Sequence, residues 1–253
     1  MVPSFGVKTI TALVMALVLS ACASTGPRDG LAATDNYEPF SRVAHTNNVR
    51  IDRYFIRPVS QGYDFVTPTV FQHMITNGLS HIDLTNDFIN YALQGDVEET
   101  LDTLGRFTLN TILGMGGLLD PATEFGIAKD DTDFGLTLAS YGVGEGSYLV
   151  LPIIGPTTMR DSAGFIVDRA FSPLTYLGPL TAVDGVGPVV TGLGFVDART
   201  RNADLIDEVL YNSEDSYVTL RAAYLQRRRA QTGAGGDPAD NLPDIFDDAP
   251  EQQ

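Results

Sequence analysis

Cysteine, basic residues and long apolar runs are all scarce in this sequence. Cys22 is the only cysteine, which excludes an intrachain disulfide and, once that thiol is modified, a thiolate metal site. The 253 residues hold 16 Lys and Arg against 32 Asp and Glu, a formal net charge of −16. This balance disfavours nucleic acid and electrostatic adhesion to anionic lipid, because both need a basic face. No unbroken apolar run reaches the roughly 18 residues of a transmembrane helix.

The N-terminal segment has the order of a secretory signal. Lys8 supplies a positive charge, an apolar run covers Ile10–Leu19, and two small residues then precede Cys22. The tetrapeptide LSAC that ends at Cys22 resembles the bacterial lipobox, in which the thiol takes a diacylglyceryl group and becomes the first mature residue. We expect residues 1–21 to be a lipoprotein signal peptide, Cys22 to be lipidated, and residues 22–35 to be a linker. A plain signal peptide with an incidental cysteine is the alternative.

Charge is unevenly distributed along the rest of the chain. Three stretches rich in glycine and proline or in apolar residues, 104–119, 134–159 and 173–196, each hold one charged residue; these are Arg106, Glu145 and Asp184. By contrast, residues 28–64 and 197–229 are densely charged. The dry stretches are either the core of a soluble domain or a surface that faces lipid. Composition alone favours a core.

Apolar spacing predicts a mainly α-helical chain. Proline restricts the residue before it, so a helix over about 46–56 is expected to end before Pro58, and prolines limit any strand in 148–156 to a short or edge piece. Asp96 is a good helix cap for a helix that continues to Ile112. The other expected helices cover about 69–79, 83–93 and 158–170. Residues 173–196 are expected to form short helices divided by Pro179, Gly185, Gly187 and Pro188. A charged helix is expected from about 197, interrupted near Asn212 and ending at Arg227–Arg229.

The run Gly114–Pro121 predicts an apolar turn. Gly114, Gly116 and Gly117 end the preceding helix, and Met115, Leu118 and Leu119 make the turn hydrophobic. A phosphate-binding loop is the alternative, but neither GxGxxG nor GxxxxGK[ST] is present.

Motifs for catalysis or metal binding are missing from the sequence. The histidines His45, His73 and His81 form no HExxH pattern, and Ser147 does not lie in GxSxG. We therefore expect neither an enzyme nor a cofactor or metal. Three aspartates, Asp130, Asp131 and Asp133, resemble the start of a calcium loop but lack its glycine and closing glutamate, so a solvated acidic turn is favoured. Two further aspartates are expected in ion pairs on a helix surface with neighbouring arginines; the four residues are Arg160, Asp161, Asp168 and Arg169.

Several motifs in one order resemble the VacJ/MlaA lipoproteins over about residues 35–229. The opening segment Asp35–Arg42 departs from the family pattern, with Asn36-Tyr37 in place of Pro-Leu and Ser41 in place of Asn. The matching segments are Asp52–Val59 (DRYFIRPV), Asn110–Ala122 (NTILGMGGLLDPA), Asp133–Leu138 (DFGLTL), Tyr141–Gly144 (YGVG), Tyr148–Pro152 (YLVLP) and Gly155–Asp161 (GPTTMRD).

This resemblance implies an all-α fold, a ring- or doughnut-like bundle of short helices embedded in one leaflet of the outer membrane of a Gram-negative bacterium. It implies removal of mislocalised phospholipids from the outer leaflet, association with a trimeric porin, and delivery to a periplasmic lipid-carrier protein linked to an inner-membrane ABC transporter. Nucleic acid is not an expected partner. The alternative is a lipid-anchored periplasmic scaffold without a channel. Ala23, after the lipidated Cys22, is not the Asp that retains lipoproteins at the inner membrane of enterobacteria, which favours the outer membrane.

The resemblance also divides the chain and names a site. Residues 36–229 would form the family domain, and residues 230–253 a disordered acidic tail. The family has a hairpin at its lipid channel, which corresponds here to Gly114, Met115, Gly116, Gly117, Leu118 and Leu119. Glycine hinges would let this apolar flap act as a gate.

Overall fold

The structure of the protein is a computed structural model that describes residues 35–175 and 186–233. The predicted signal peptide, Cys22 and the linker up to residue 34 lie outside the described residues, as does the tail from residue 234. Residues 176–185, which hold two of the four breaks expected between short helices, also lie outside them.

The described residues are mainly helical, as the sequence predicts, with one small β-hairpin. Strand β1, Tyr148–Leu151, pairs antiparallel with β2, Gly155–Thr158, and Tyr148 lies opposite Thr158. The helices are α1 Glu38–Ile51, α2 Arg57–Val66, α3 Thr69–Gln94, α4 Val97–Ile112, α5 Pro121–Glu124, α6 Phe134–Ser140, α7 Met159–Phe171, α8 Val186–Arg201, α9 Ala203–Asp207 and α10 Ser216–Gln231. Two π-helical turns interrupt this order, the first at Asp52–Ile56 and the second at Glu208–Asn212.

The first helical segment is longer than predicted and does not end before Pro58. It begins at Glu38 and continues from α1 through the first π turn into α2. In that turn Arg57 donates its N–H to the Asp52 carbonyl, five residues back. A proline ring clashes with the carbonyl four residues before it, and the wider turn gives that carbonyl room.

Two further predictions of helix breaks were wrong. The segments expected over 69–79 and 83–93 form the single helix α3, because its packing against α4 outweighs the modest cost of Gly78 inside a helix. Helix α8 runs through Gly187 and Pro188. Both residues lie in its first turn, where the missing N–H of proline has no helical partner to lose.

Other helix ends lie where the sequence places them. The Asp96 carboxylate accepts the Glu99 N–H at the start of α4, and Thr158 caps α7 by accepting the Asp161 N–H. The charged helix is interrupted after the second π turn and resumes as α10, with the Asp215 carboxylate as its cap. Local side-chain chemistry therefore fixes these ends independently of the tertiary fold.

Helix pairs and the hairpin pack into one body. Helix α3 packs along α4, α7 on α6, α8 on α2, and α1 on β1. The apolar core is small and lies where the β-hairpin meets α1 and α10; it consists of Ala44, Tyr148, Val150, Tyr217 and Leu225.

Candidate functional site

Polar and charged side chains dominate the interior of this protein. Among the described residues, eighteen buried side chains are polar or charged and eight are apolar. In a water-soluble domain, ionisable side chains are almost never fully buried unless they are paired. Here four arginines are buried, namely Arg106, Arg160, Arg199 and Arg228.

Large apolar side chains lie on the outside instead. They include nine exposed phenylalanines together with valine, leucine, isoleucine, methionine and tyrosine side chains from most of the helices; Phe65, which is 91% exposed, is the extreme case. The other eight are Phe40, Phe55, Phe71, Phe88, Phe107, Phe125, Phe165 and Phe195. Single exposed apolar residues are normal, but so many on one domain mark an interaction with membrane or protein.

Helix α4 shows most clearly that polar side chains lie inside and apolar side chains outside. Its apolar face is exposed, at 69% for Val97, 60% for Leu101 and 72% for Ile112. Its opposite face buries Arg106 and Asn110. The amphipathic pattern is present, but the polar face points to the protein interior.

The same holds for the dry stretches, which composition alone assigns to a core. Leu104, Phe107, Ile153, Ile154 and Phe195 come from these stretches, and all are exposed. The interpretation as a soluble core was therefore wrong for these residues. Within the described ranges, no helix is both long and apolar enough to cross a bilayer.

Buried ion pairs tie α10 to α6 and α7. Arg228 donates to both oxygens of Asp133, at 2.7 and 3.0 Å, and to both oxygens of Asp161, at 2.8 and 3.0 Å. Burial alone would raise the pKa of Asp161, but the hydrogen bonds and charge of Arg228, with the charge of Arg160, lower it to about 2. The Arg227–Arg229 cluster lies near the end of α10, as the sequence predicts, and Arg228 within it reaches into the interior.

The prediction of ion pairs on the surface of α7 was wrong. Arg160 and Asp161 are both buried, with 3.1 Å between Nε and Oδ1. Asp168 accepts hydrogen bonds from the amides of Asn86 and Asn90, each at 3.0 Å, and also from the Phe134 N–H. These carboxylates hold α7 to its neighbours, because they satisfy polar groups that burial has removed from water.

The Gly114–Pro121 turn is an apolar loop with an ordered backbone. Gly116 donates its N–H to the Thr111 carbonyl at 3.1 Å and Gly117 to the Asn110 carbonyl at 2.8 Å. Met115, Gly116 and Gly117 have positive φ angles of 57°, 73° and 92°. A β-carbon on Gly114 would lie 2.5 Å from two carbonyl oxygens. The glycines therefore permit a left-handed, closely packed turn.

The base of this loop is fixed by Arg106, whose role sequence reasoning missed. Its Nη2 donates to both carboxylate oxygens of Asp120, at 2.9 and 2.7 Å, and its Nη1 donates to the Ile127 carbonyl. Burial opposes the ionisation of Asp120, but hydrogen bonds from Thr123 and Asn110 and the charge of Arg106 outweigh it, and the pKa of Asp120 is lowered. A lone arginine in an uncharged stretch, followed by an aspartate at the end of the turn, was the available signal.

The tip of the loop lies against α3 through His81. A β-carbon on Gly117 would come within 2.3 to 2.5 Å of the His81 ring. That ring stacks on Phe107, with centroids 4.8 Å apart, and its Nε2 lies 3.1 Å from the Thr111 Oγ1. Asn77 donates its amide to the Leu118 carbonyl at 3.3 Å. The exposed side chains of Met115, Leu118 and Leu119 thus project from a docked loop.

The remaining sequence candidates are the histidines His45 and His73 and the acidic turn. His45 is buried and lies 2.8 Å from the Ser216 hydroxyl, and His73 is exposed. Asp133 caps α6 and pairs with Arg228 rather than being free in solvent. Over the described part of the chain, no group of three or more His, Cys, Asp or Glu residues is arranged to hold a metal ion.

Comparison with known proteins places this architecture in a family. The model of the MlaA lipoprotein family matches residues 33–231. The protein named intermembrane phospholipid transport system lipoprotein MlaA of Haemophilus influenzae is 34% identical over 247 residues, covering 94% of this chain and 96% of its own length. Its namesake in Escherichia coli K12 is 33% identical, with 83% and 82% covered. An uncharacterised protein of Rickettsia bellii is 38% identical, with 78% and 76% covered.

A solved structure agrees with the sequence comparison. It is 33% identical and covers 79% of this chain and 99% of its own, with a TM-score of 0.67. That structure was reported as the structural basis for maintenance of bacterial outer membrane lipid asymmetry. Since the family model matches residues 33–231, nearly all of the described fold, this chain belongs to the MlaA lipoprotein family.

Proposed function

We propose that this protein removes mislocalised phospholipids from the outer leaflet of the outer membrane and passes them towards the periplasm. The observation that carries the proposal is the reversed distribution of polarity, with ionic networks inside and apolar side chains outside. Acyl chains would cover the exterior, and a polar interior is where lipid headgroups and water can be accommodated. Relatives named for intermembrane phospholipid transport support the same function.

The proposed arrangement places the domain in one leaflet as a ring. Cys22, once lipidated, would anchor it to the outer membrane facing the periplasm, with residues 22–35 as linker and 36–229 as the embedded domain. No described helix is both long and apolar enough to cross the bilayer. A trimeric porin beside the ring and a soluble periplasmic lipid carrier below it would complete the route. Lipid moves without any bond being made or broken.

Within this arrangement the loop Gly114–Leu119 is the proposed gate. Its exposed Met115, Leu118 and Leu119 suit contact with acyl chains, and its docking on His81 gives it a defined position from which to move. Arg106 and Asp120 would hold the base while the tip moves.

The deciding experiment compares cells with and without this protein. Outer-leaflet phospholipid is measured in intact cells by its accessibility to an added phospholipase, together with resistance to SDS and EDTA. Deletion is expected to raise surface phospholipid, and expression of the intact chain to restore the original level. If surface phospholipid does not change on deletion, the transport proposal fails and a lipid-anchored scaffold becomes the better account.

A further inference from the structure

The first π turn, Asp52–Ile56, carries an exposed segment that the lipid route does not use. Arg53, Tyr54 and Phe55 are consecutive and all exposed, with Tyr54 at 67% and Phe55 at 68%. In a straight helix, three consecutive residues span too wide an arc for all of them to lie on one face. Arg53, Tyr54 and Phe55 lie within the π turn, and π-bulges recur at functional sites.

The turn is fixed from inside by the residue before this segment. Asp52 is buried and accepts hydrogen bonds from the Arg199 Nε at 2.8 Å, the Arg199 Nη2 at 3.2 Å and the Tyr211 hydroxyl at 2.6 Å. Charge-assisted bonds of this kind are among the strongest in proteins. The exposed side chains are therefore presented on a rigid base rather than on a loose loop.

Two arginines beside these aromatics have no acidic partner. Arg50 and Arg53 are exposed and form no ion pair with any described residue, although acids outnumber bases two to one in this chain. The Arg53 guanidinium lies over the Tyr211 ring, with Cζ 4.9 Å from the centroid. Such stacking orients the guanidinium but leaves its N–H donors free for a ligand.

We propose that this surface binds the phosphate of a membrane phospholipid, and the proposal rests on the function proposed above. Arg50 and Arg53 would donate to the phosphate oxygens, and Tyr54 and Phe55 would lie at the level of the glycerol and upper acyl chain. Guanidinium groups match phosphate geometry, and aromatic side chains prefer the interface between water and hydrocarbon. The first π turn would thus set the depth of the domain in its leaflet.

The net charge of −16 does not oppose this site. It disfavours long-range attraction to an anionic surface, which is screened beyond about 8 Å at physiological salt. A phosphate in direct contact needs only the local donors, and zwitterionic phospholipids carry the same phosphate. The ligand class is therefore phospholipid in general rather than anionic lipid.

The first test uses the lack of tryptophan in the whole chain. Tyr54→Trp introduces a single tryptophan, which can be excited selectively, in the full lipoprotein, which is reconstituted into phosphatidylcholine nanodiscs. Lipids brominated near the headgroup end of the acyl chain should quench this fluorophore more than lipids brominated near the chain terminus. Strong quenching by aqueous acrylamide with no quenching by either brominated lipid would overturn the proposal.

The second test measures binding of a soluble phospholipid. Dihexanoyl phosphatidylcholine below its micelle concentration is titrated into the Tyr54→Trp protein in a detergent without phosphate. Arg53→Glu in this background should weaken binding by about tenfold or more, because a charge-assisted hydrogen bond is replaced by repulsion. Arg227→Glu is the matched control, since Arg227 is also exposed and also forms no ion pair with a described residue. Equal effects of the two variants would overturn the proposal.

One further variant and one competitor separate the chemistry of the donor from the source of the anion. Arg53→Lys should retain part of the affinity, because the charge is kept but the two-pronged donor is lost. Inorganic phosphate should compete only weakly with the phospholipid, and equal affinity for both would mean a general anion site and overturn the lipid assignment. If the variants lose binding at Arg53 while deletion leaves surface phospholipid unchanged, the site stands and the transport function fails.

Discussion

Arginine supplies nearly all of the positive charge in this protein, and its geometry explains how the interior is held together. Only two of the sixteen basic residues are lysines. Arg106, Arg199 and Arg228 are buried, and each bonds to carboxylate oxygens. A planar guanidinium can donate to two oxygens at once, whereas an ammonium acts as a point charge. An interior held together by fixed ionic contacts therefore needs the guanidinium group.

At Arg106 this predicts a large loss of stability. Arg106→Ala leaves Asp120 beside a buried space without its partner, and we expect the free energy of unfolding in detergent to fall by about 3 to 5 kcal/mol. Arg42→Ala removes half-exposed pairs with Glu38 and Asp215, each of which should contribute at most about 1 kcal/mol. Urea unfolding followed by circular dichroism measures both. Similar losses for the two variants would mean that the Arg106 pair is not a structural anchor.

Asp87 predicts a dependence of stability on pH. Burial, and next the negative charge of Asp131, raise the pKa of Asp87 to about 8. The folded carboxyl keeps its proton at pH values where the unfolded one, with a pKa of about 3.9, has lost it. The free energy of unfolding should therefore fall as the pH rises from about 4 to 8, by up to about 1.4 kcal/mol per pH unit. In Asp87→Asn the decline should become smaller by the contribution of Asp87, which urea unfolding across that range would show; Asp83 and Asp168, whose pKa values burial also raises, contribute the remainder.

In α4, a substitution on the polar face should cost more stability than one on the apolar face, which is the reverse of the usual rule for an amphipathic helix. Leu101→Ser changes an exposed side chain and should cost less than about 0.5 kcal/mol of stability in detergent. Asn110→Leu removes one of the hydrogen bonds that Asp120 accepts and leaves the buried Ala122 N–H without a partner, and should cost about 1 to 3 kcal/mol. Thermal unfolding in detergent shows which of the two variants loses more stability. A larger loss for Leu101→Ser than for Asn110→Leu would indicate an ordinary soluble fold with the apolar face of α4 inside.

The loop Gly114–Leu119 predicts a specific effect at Gly117. Gly117→Ala places a methyl group against the His81 ring at a φ of 92°, so the loop should leave its docked position. Cells with this variant should lose SDS and EDTA resistance or show a changed surface phospholipid level at normal protein abundance. Gly62→Ala is the control, since no atom lies within 4 Å of a β-carbon there. Normal resistance in Gly117→Ala cells would argue against a gate.

Sequence pattern identifies these elements better than it orients them. The period of α4 and the Asp96 cap are local, and both are observed as predicted. The periodicity of α4 does not tell which of its faces lies inside. That depends on partners distant in sequence and on the medium that surrounds the protein. The continuation past Pro58 is a further example, because it depends on a π turn whose buried Asp52 bonds to Arg199, 147 positions away.

At the scale of the whole molecule, the apolar exterior follows from the polar interior. Ionic contacts hold the helices together without a large apolar core, so the apolar side chains are available to the exterior. In water such a surface would drive association, whereas in a leaflet it is the side that lipid covers. The small apolar cluster at the β-hairpin is the part of the described structure that resembles an ordinary domain.

This organisation predicts that membrane attachment does not depend on Cys22 alone. Cys22→Ala cannot be acylated, yet its embedded domain should still bind detergent and float with phosphatidylcholine vesicles, because the exposed apolar residues remain. Light scattering in a mild detergent would give a particle heavier than the 27.2 kDa chain by the mass of a bound micelle. A second variant with Leu101→Glu, Ile112→Glu and Phe65→Glu keeps the same interior but breaks the apolar exterior, so it should bind less detergent. If Cys22→Ala is instead monomeric and soluble in plain buffer, the lipid anchor is the only membrane contact and the embedded ring is wrong.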